Sequence, residues 1–133
     1  MKGLICVNLC LENQLKEGES RMRDMKTIAT LNQLDDFIHN HQLSFLYLSR
    51  TNCSVCHSLL PQMKELMMNF PQIELGFINV DDLEEVAGRL SIFTVPVLIL
   101  YVDGKEYIRE ARFVHLQELE EKIRRIHSNL IDE

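Results

Sequence analysis

Two short runs limit the architecture of this chain more than any other feature. Leu43-Ser44-Phe45-Leu46-Tyr47-Leu48 and Val97-Leu98-Ile99-Leu100-Tyr101-Val102 are dense in apolar and aromatic residues. A strand with one wet face alternates apolar and polar side chains, so these runs predict strands buried on both faces. Such a sheet needs helices on both sides. The chain supplies them. Thr30 stands three residues before Gln33, the spacing of a capping box, and Leu31, Leu34, Phe37 and Ile38 follow as an amphipathic stripe. Leu59, Leu60, Met63, Leu66, Met67 and Phe70 mark a second helix that begins near Cys56, bends at Pro61 and ends at Pro71. Asp81-Asp82 place carboxylates at the N-terminus of a third, with Leu83, Val86, Ala87 and Leu90 as its stripe. Leu116, Leu119, Ile123, Ile126 and Leu130 form the last.

Three further strands complete the order. Lys26–Ala29 reads as a short edge strand, Ile73–Val80 as an inner one, and Lys105–Phe113 as a polar edge strand after an Asp103-Gly104 hairpin turn. The order is β-α-β-α-β-α-β-β-α. The βαβ half predicts parallel strands and the hairpin adds antiparallel ones, giving an α/β domain around a central mixed sheet with helices on both faces. With 133 residues, 46% of them hydrophobic, one domain without stapling disulfides or metal is expected. It should occupy residues 25–133.

Residues 1–24 read as an N-terminal extension: a frayed arm, an over-extended start ahead of Met22 or Met25, or a lid or dimer-forming element built on apolar residues 4–11. The run is too short, and interrupted by Asn8, for a signal peptide, and Leu9 disfavours lipid attachment at Cys10. The net charge of −6 comes without a basic stripe, so the usual footprint of a nucleic-acid binder is missing. No segment approaches the roughly eighteen apolar residues of a membrane-spanning helix.

The chemistry concentrates at Cys53-Ser54-Val55-Cys56. Cys53 follows a strand and falls at a helix N-cap, where unpaired N–H groups and the helix dipole favour a thiolate. The thiolate is the attacking species in disulfide exchange. Cys56 lies one turn on, more buried, and placed to attack a mixed disulfide on Cys53. Two other readings exist. A zinc half-site would need two more ligands, and neither Cys6 and Cys10 nor His57 has suitable spacing and context. Two ordinary buried cysteines are the third reading. Pro96 in Thr94-Val95-Pro96 sits where a strand starts, which its missing N–H requires. If the bond before it is cis, the bend can lie against the dithiol and leave the Val95 backbone to pair with an extended segment. An ordinary trans proline is the alternative.

Taken together, Cys53-Ser54-Val55-Cys56, Pro61, Asn79-Val80-Asp81, Thr94-Val95-Pro96 and Tyr101-Val102-Asp103-Gly104 resemble the thioredoxin family from about Met25 to Leu130. The resemblance implies a thioredoxin-like fold, with Cys53 as nucleophile, Cys56 as resolving thiol, Pro96 as the cis-proline of a substrate groove and Pro61 as the helix-kinking proline. Asn52, Ser54, Val55, Thr94, Val95, Pro96 and Arg112 would line that groove. The chain departs from the family in several places. Asn52 replaces the usual tryptophan, Ser54-Val55 the usual Gly-Pro, Tyr47 the buried acid, and Phe77 its lysine neighbour. Loss of both charges leaves neither buried alone, but removes a base for the Cys56 proton. Arg112 stands where a glycine is common. It would narrow the groove or select acidic substrates, or else be a solvated edge-strand arginine. Arg50 and His57 are the basic candidates for stabilising the Cys53 thiolate, and His57 for passing protons near neutral pH.

The expected function is a cytoplasmic thiol–disulfide oxidoreductase that reduces protein or small-molecule disulfides and serves electron transport and cell redox homeostasis. A thiol reductant or reductase would recycle it, with no bound cofactor, no metal, and neither nucleic acid nor membrane as partner. The alternative is an interaction or adaptor protein of the same fold with little redox turnover.

Overall fold

The computed structural model describes residues 23–131. Residues 1–22, with Cys6, Cys10 and the readings of the extension that rest on them, lie outside that range. The elements are β1 (Lys26–Thr27), α1 (Leu31–His39), β2 (Leu43–Ser49), α2 (Ser54–Met67), β3 (Glu74–Asn79), α3 (Glu85–Leu90), β4 (Val97–Val102), β5 (Lys105–Ala111) and α4 (Leu116–Ile131). This is the order expected from the sequence. They build one sheet in the order β1-β3-β2-β4-β5. β1, β3 and β2 run parallel, while β4 is antiparallel to β2 and β5 to β4.

Side-chain alternation along the two central strands divides the interior in two. Phe45, Tyr47, Leu98 and Leu100 face α2 and α4, where Met63, Met67, Leu119 and Ile123 close one core. Leu46, Leu48, Val97 and Ile99 face the opposite way, against Leu34, Phe37 and Ile38 of α1 and Val86 of α3. Every residue of β2 and of β4 is buried. Gly76 sits beside Leu46 in this second layer, and a methyl there would meet Ile28 and Phe37 at 2.9 Å. The hairpin turn has φ 53° at Asp103 and 83° at Gly104, the positive pair of a turn whose twist matches the flanking strands.

Several boundaries differ from expectation, each for a local reason. Thr30 caps α1 by accepting from Gln33 N–H at 3.1 Å, and the Gln33 side chain takes the Ala29 N–H at 2.7 Å, so the edge strand goes no further than the Ile28 N–H bond to the Phe77 carbonyl at 2.9 Å. α2 starts at Ser54, two residues before Cys56, and continues through Pro61. It stops at Met67 rather than at Pro71, tightening into bonds from Met68, Asn69 and Phe70 N–H to the third carbonyl back. Arg23, read from sequence as part of the arm, donates there to the carbonyls of Met67, Phe70 and Pro71 at 3.3, 2.9 and 3.4 Å. α3 begins at Glu85 and not at Asp81-Asp82, because the Asp81 carboxylate is engaged by the β2–α2 loop. β5 ends at Ala111, since Arg112 turns to φ 65°.

Candidate active site

The loop from β2 to α2 is held firmly before it reaches the dithiol. Thr51 N–H donates to Asp81 Oδ2 at 2.9 Å, and Arg50 Nη1 pairs with Asp81 Oδ1 at 2.6 Å. Asn79 Nδ2 donates to Thr51 Oγ1 at 3.0 Å. The Thr51 carbonyl accepts from His57 Nε2 at 2.8 Å, which puts the imidazole proton on that nitrogen. The Thr51 N–H and then Arg50 hold the Asp81 carboxyl below the usual carboxylate range. Arg50 and His57 are thus engaged in bracing the loop that carries Cys53.

Cys53 has extended backbone, φ −128°, and caps α2. Its carbonyl accepts from His57 N–H at 3.2 Å, and its Sγ accepts from Cys56 N–H at 3.2 Å. Cys53 and Cys56 are joined by a disulfide, with Cα atoms 5.3 Å apart. Cys53 is partly exposed, whereas Cys56 is fully buried. The arrangement leaves one cysteine of the pair at the surface, in the lining of a cleft, and its partner in the core.

Beneath Cys56 lies the aromatic pair that replaces the charged pair. Tyr47 is fully buried, and its hydroxyl donates to the Cys56 carbonyl at 2.5 Å. Burial pushes this phenol well above its ordinary ionisation range, so it stays protonated at neutral pH. Its ring stacks on Phe77 with centroids 6.2 Å apart and planes 19° apart.

An open cleft of about 410 Å³ runs beside the dithiol, lined by Cys53, Ser54, Val55, Thr94, Val95, Pro96, Arg112 and Phe113. The Val95-Pro96 bond is cis. Val95 lies outside the β4 register, which begins at Val97. Arg112 N–H donates to the Pro96 carbonyl at 2.9 Å, tying the two walls together. Asn52, expected in the groove, is exposed but does not line this cleft. Two exposed aromatic residues near the site were missed, Phe113 in the cleft lining and Phe93 outside it. Phe113 is 75% exposed and carries the Arg112 guanidinium 5.4 Å from its ring centroid, and Phe93, next to Thr94, is 91% exposed. The one sequence signal for Phe93 was its place directly before Thr94-Val95-Pro96. Among the described residues, no cluster of His, Cys, Asp or Glu is placed to hold a metal ion.

The family model described as Thioredoxin matches residues 25–125. The thioredoxin-like protein YdfQ of Bacillus subtilis is 51% identical over 106 residues, spanning 80% of this chain and 95% of that protein. Thioredoxin-1 of Saccharomyces cerevisiae is 27% identical over 77 residues, covering 58% of this chain and 75% of its own length. Among solved structures, Fasciola hepatica thioredoxin superposes with a TM-score of 0.69 at 27% identity, over 76% of this chain and 98% of that one. Oxidised thioredoxin from Plasmodium falciparum gives 0.69 at 20% identity, over 75% and 98%, a likeness of fold.

Proposed function

This chain belongs to the thioredoxin family, and from that premise we propose that it reduces disulfides in proteins or small molecules by dithiol exchange. The single observation that carries the reading is the partly exposed Cys53 at the head of α2, its Sγ accepting the Cys56 N–H and bonded to the sulfur of the buried Cys56. In the reduced protein, the Cys53 thiolate attacks one sulfur of a substrate disulfide. A Cys53–substrate disulfide forms and the other substrate sulfur leaves as a thiolate. Cys56 then gives up its proton and attacks Cys53 Sγ, which closes the Cys53–Cys56 disulfide and releases the second substrate thiol. Two electrons pass to the substrate, and an external thiol reductant or reductase returns them. A reducing compartment such as the cytoplasm suits this direction of flow.

Reduction of insulin disulfides tests the reading. The dithiol-reduced protein should outpace the free dithiol present, Cys53→Ser should be inactive, and Cys56→Ser should stall as a mixed disulfide. A rate no better than free dithiol would refute it. One observation favours a second reading, a binding protein with slow turnover. The Tyr47–Phe77 pair beneath Cys56 offers no group able to accept its proton at neutral pH.

A further inference from the structure

Arg112 occupies a costly position. Its φ of 65° lies in the left-handed region that glycine alone enters freely. Backbone outliers of this kind cluster at active sites and ligand clamps. Here the side chain has a definite setting. Among the described residues it is the one charged side chain lining the cleft beside Cys53, and no carboxylate of theirs shares that lining. Arg50, Arg89, Arg109 and Arg124 are each paired with an acid, whereas Arg112 makes no ion pair with the described residues. Its guanidinium instead rests over the exposed Phe113 ring, an arrangement that leaves the N–H fork available for a planar carboxylate.

The apolar margin completes the recognition surface. Val55 is 58% exposed on the Cys53 side and Phe113 is more exposed still, while the exposed Phe93 lies outside the cleft lining, next to Thr94. An occupant must therefore bring one negative charge and apolar side chains together. We propose that Arg112 is a specificity-determining residue, and that the groove takes extended protein segments whose disulfide-bonded cysteine is flanked by a carboxylate and an apolar residue. The inference rests on the oxidoreductase reading, since it concerns which disulfides that chemistry reaches. The overall charge of −6 does not oppose it at close range. Long-range repulsion is screened over about 8 Å at physiological salt, and the Arg112 contact is shorter than that.

Three synthetic peptides test it, each closed by one internal disulfide, each with leucine on one side of the same half-cystine, and differing only in Glu, Gln or Lys on the other. Second-order reduction rates should fall in the order Glu, Gln, Lys. Glu should exceed Lys on the order of fivefold at about 0.15 M ionic strength, where the net charge is screened but the close Arg112 contact is not, with the gap narrowing as salt is raised further. The Glu-to-Lys ratio should collapse toward one in Arg112→Gln and in Arg112→Gly, and persist in part in Arg112→Lys. The ratio is independent of how much of each variant is folded. Equal rates in the unaltered protein, or an unchanged ratio in Arg112→Gln, would overturn the inference alone. Arg112-dependent reduction of oxidised glutathione faster than of the Glu peptide would overturn the protein segment as occupant. No reduction of any peptide beyond the free dithiol rate would overturn the oxidoreductase reading, and this inference with it.

Discussion

The Tyr47 hydroxyl donates a 2.5 Å hydrogen bond to the carbonyl of Cys56 from directly beneath the dithiol. A protonated phenol there orients the helix backbone, but it cannot take a proton from Cys56 at neutral pH, because burial raises its ionisation far above that range. Resolution of a mixed disulfide would then rely on a base from solvent or substrate. Its single-turnover rate should climb steadily with pH through the neutral range, and Tyr47→Phe should leave that profile unchanged. The same substitution should lower stability by about 1 kcal/mol, the net worth of a lost hydrogen bond. A shifted pH profile in Tyr47→Phe would instead mean that the phenol handles the proton.

Asp81 ties the β2–α2 loop to the end of β3, and its carboxyl is held below the ordinary range first by Thr51 N–H and then by Arg50. A carboxyl whose folded pKa is depressed adds stability that is complete above its unfolded value, about 3.9, and is lost as pH falls through the folded value. Asp81→Asn should therefore unfold at lower urea than the unaltered protein at pH 7. The gap between the two midpoints should shrink as the medium is acidified below about pH 3.9. A gap of constant size across that window would show that the charge on Asp81 contributes nothing.

Arg23 closes the C-terminus of α2 with donors to three carbonyls. Positive charge is favourable at that end of a helix, and unpaired carbonyls there need donors. Arg23→Ala should cost about 1–2 kcal/mol in chemical denaturation, with an unchanged slope. Arg23→Lys should recover only part of it, since an ammonium cannot fork across the carbonyls. A chain begun at Met25 should behave like Arg23→Ala. Equal midpoints for all these forms would remove Arg23 from the account of stability.

Tyr101 on β4 carries a buried hydroxyl with no partner among the described residues. Burial, and then the nearby Glu106, push its ionisation up to about 12. Between the ordinary value of about 10 and that point, the folded protein keeps a proton that the unfolded chain releases, so stability falls as pH rises. Tyr101→Phe should be neutral or stabilising by up to about 1 kcal/mol at pH 7, because an unpaired hydroxyl leaves the interior. It should also flatten the alkaline decline, leaving the share that belongs to Tyr47. Clear destabilisation at pH 7 would mean that the hydroxyl has a partner.

Much of this arrangement was legible in the chain itself. Leu43–Leu48 and Val97–Val102 announced strands covered on both sides because, Ser44 apart, both runs are apolar or aromatic throughout, and Pro96 and Cys53 marked where each joins the site. What was illegible depended on contacts across the fold. Nothing local tells Asp81 to serve Thr51 and Arg50 rather than start a helix, since an aspartate is welcome at either task. Phe93 and Phe113 look like core residues by type, and only a loop with no periodicity around it allows them to face outward. An arginine as such gave no hint of a φ of 65°, which belongs to the turn that leaves β5 and meets Pro96; the one pointer was that Arg112 stands where a glycine is common.

The separation of the core beneath Cys56 from the loops outside it has a consequence for how such a protein diverges. Tyr47 and Phe77, which set conditions under Cys56, belong to the layer beneath α2, while Arg112, Phe113 and Phe93 belong to loops on the outside. A lineage can thus alter the reactivity of the sulfur pair and its choice of customer by separate mutations, each invisible to the other.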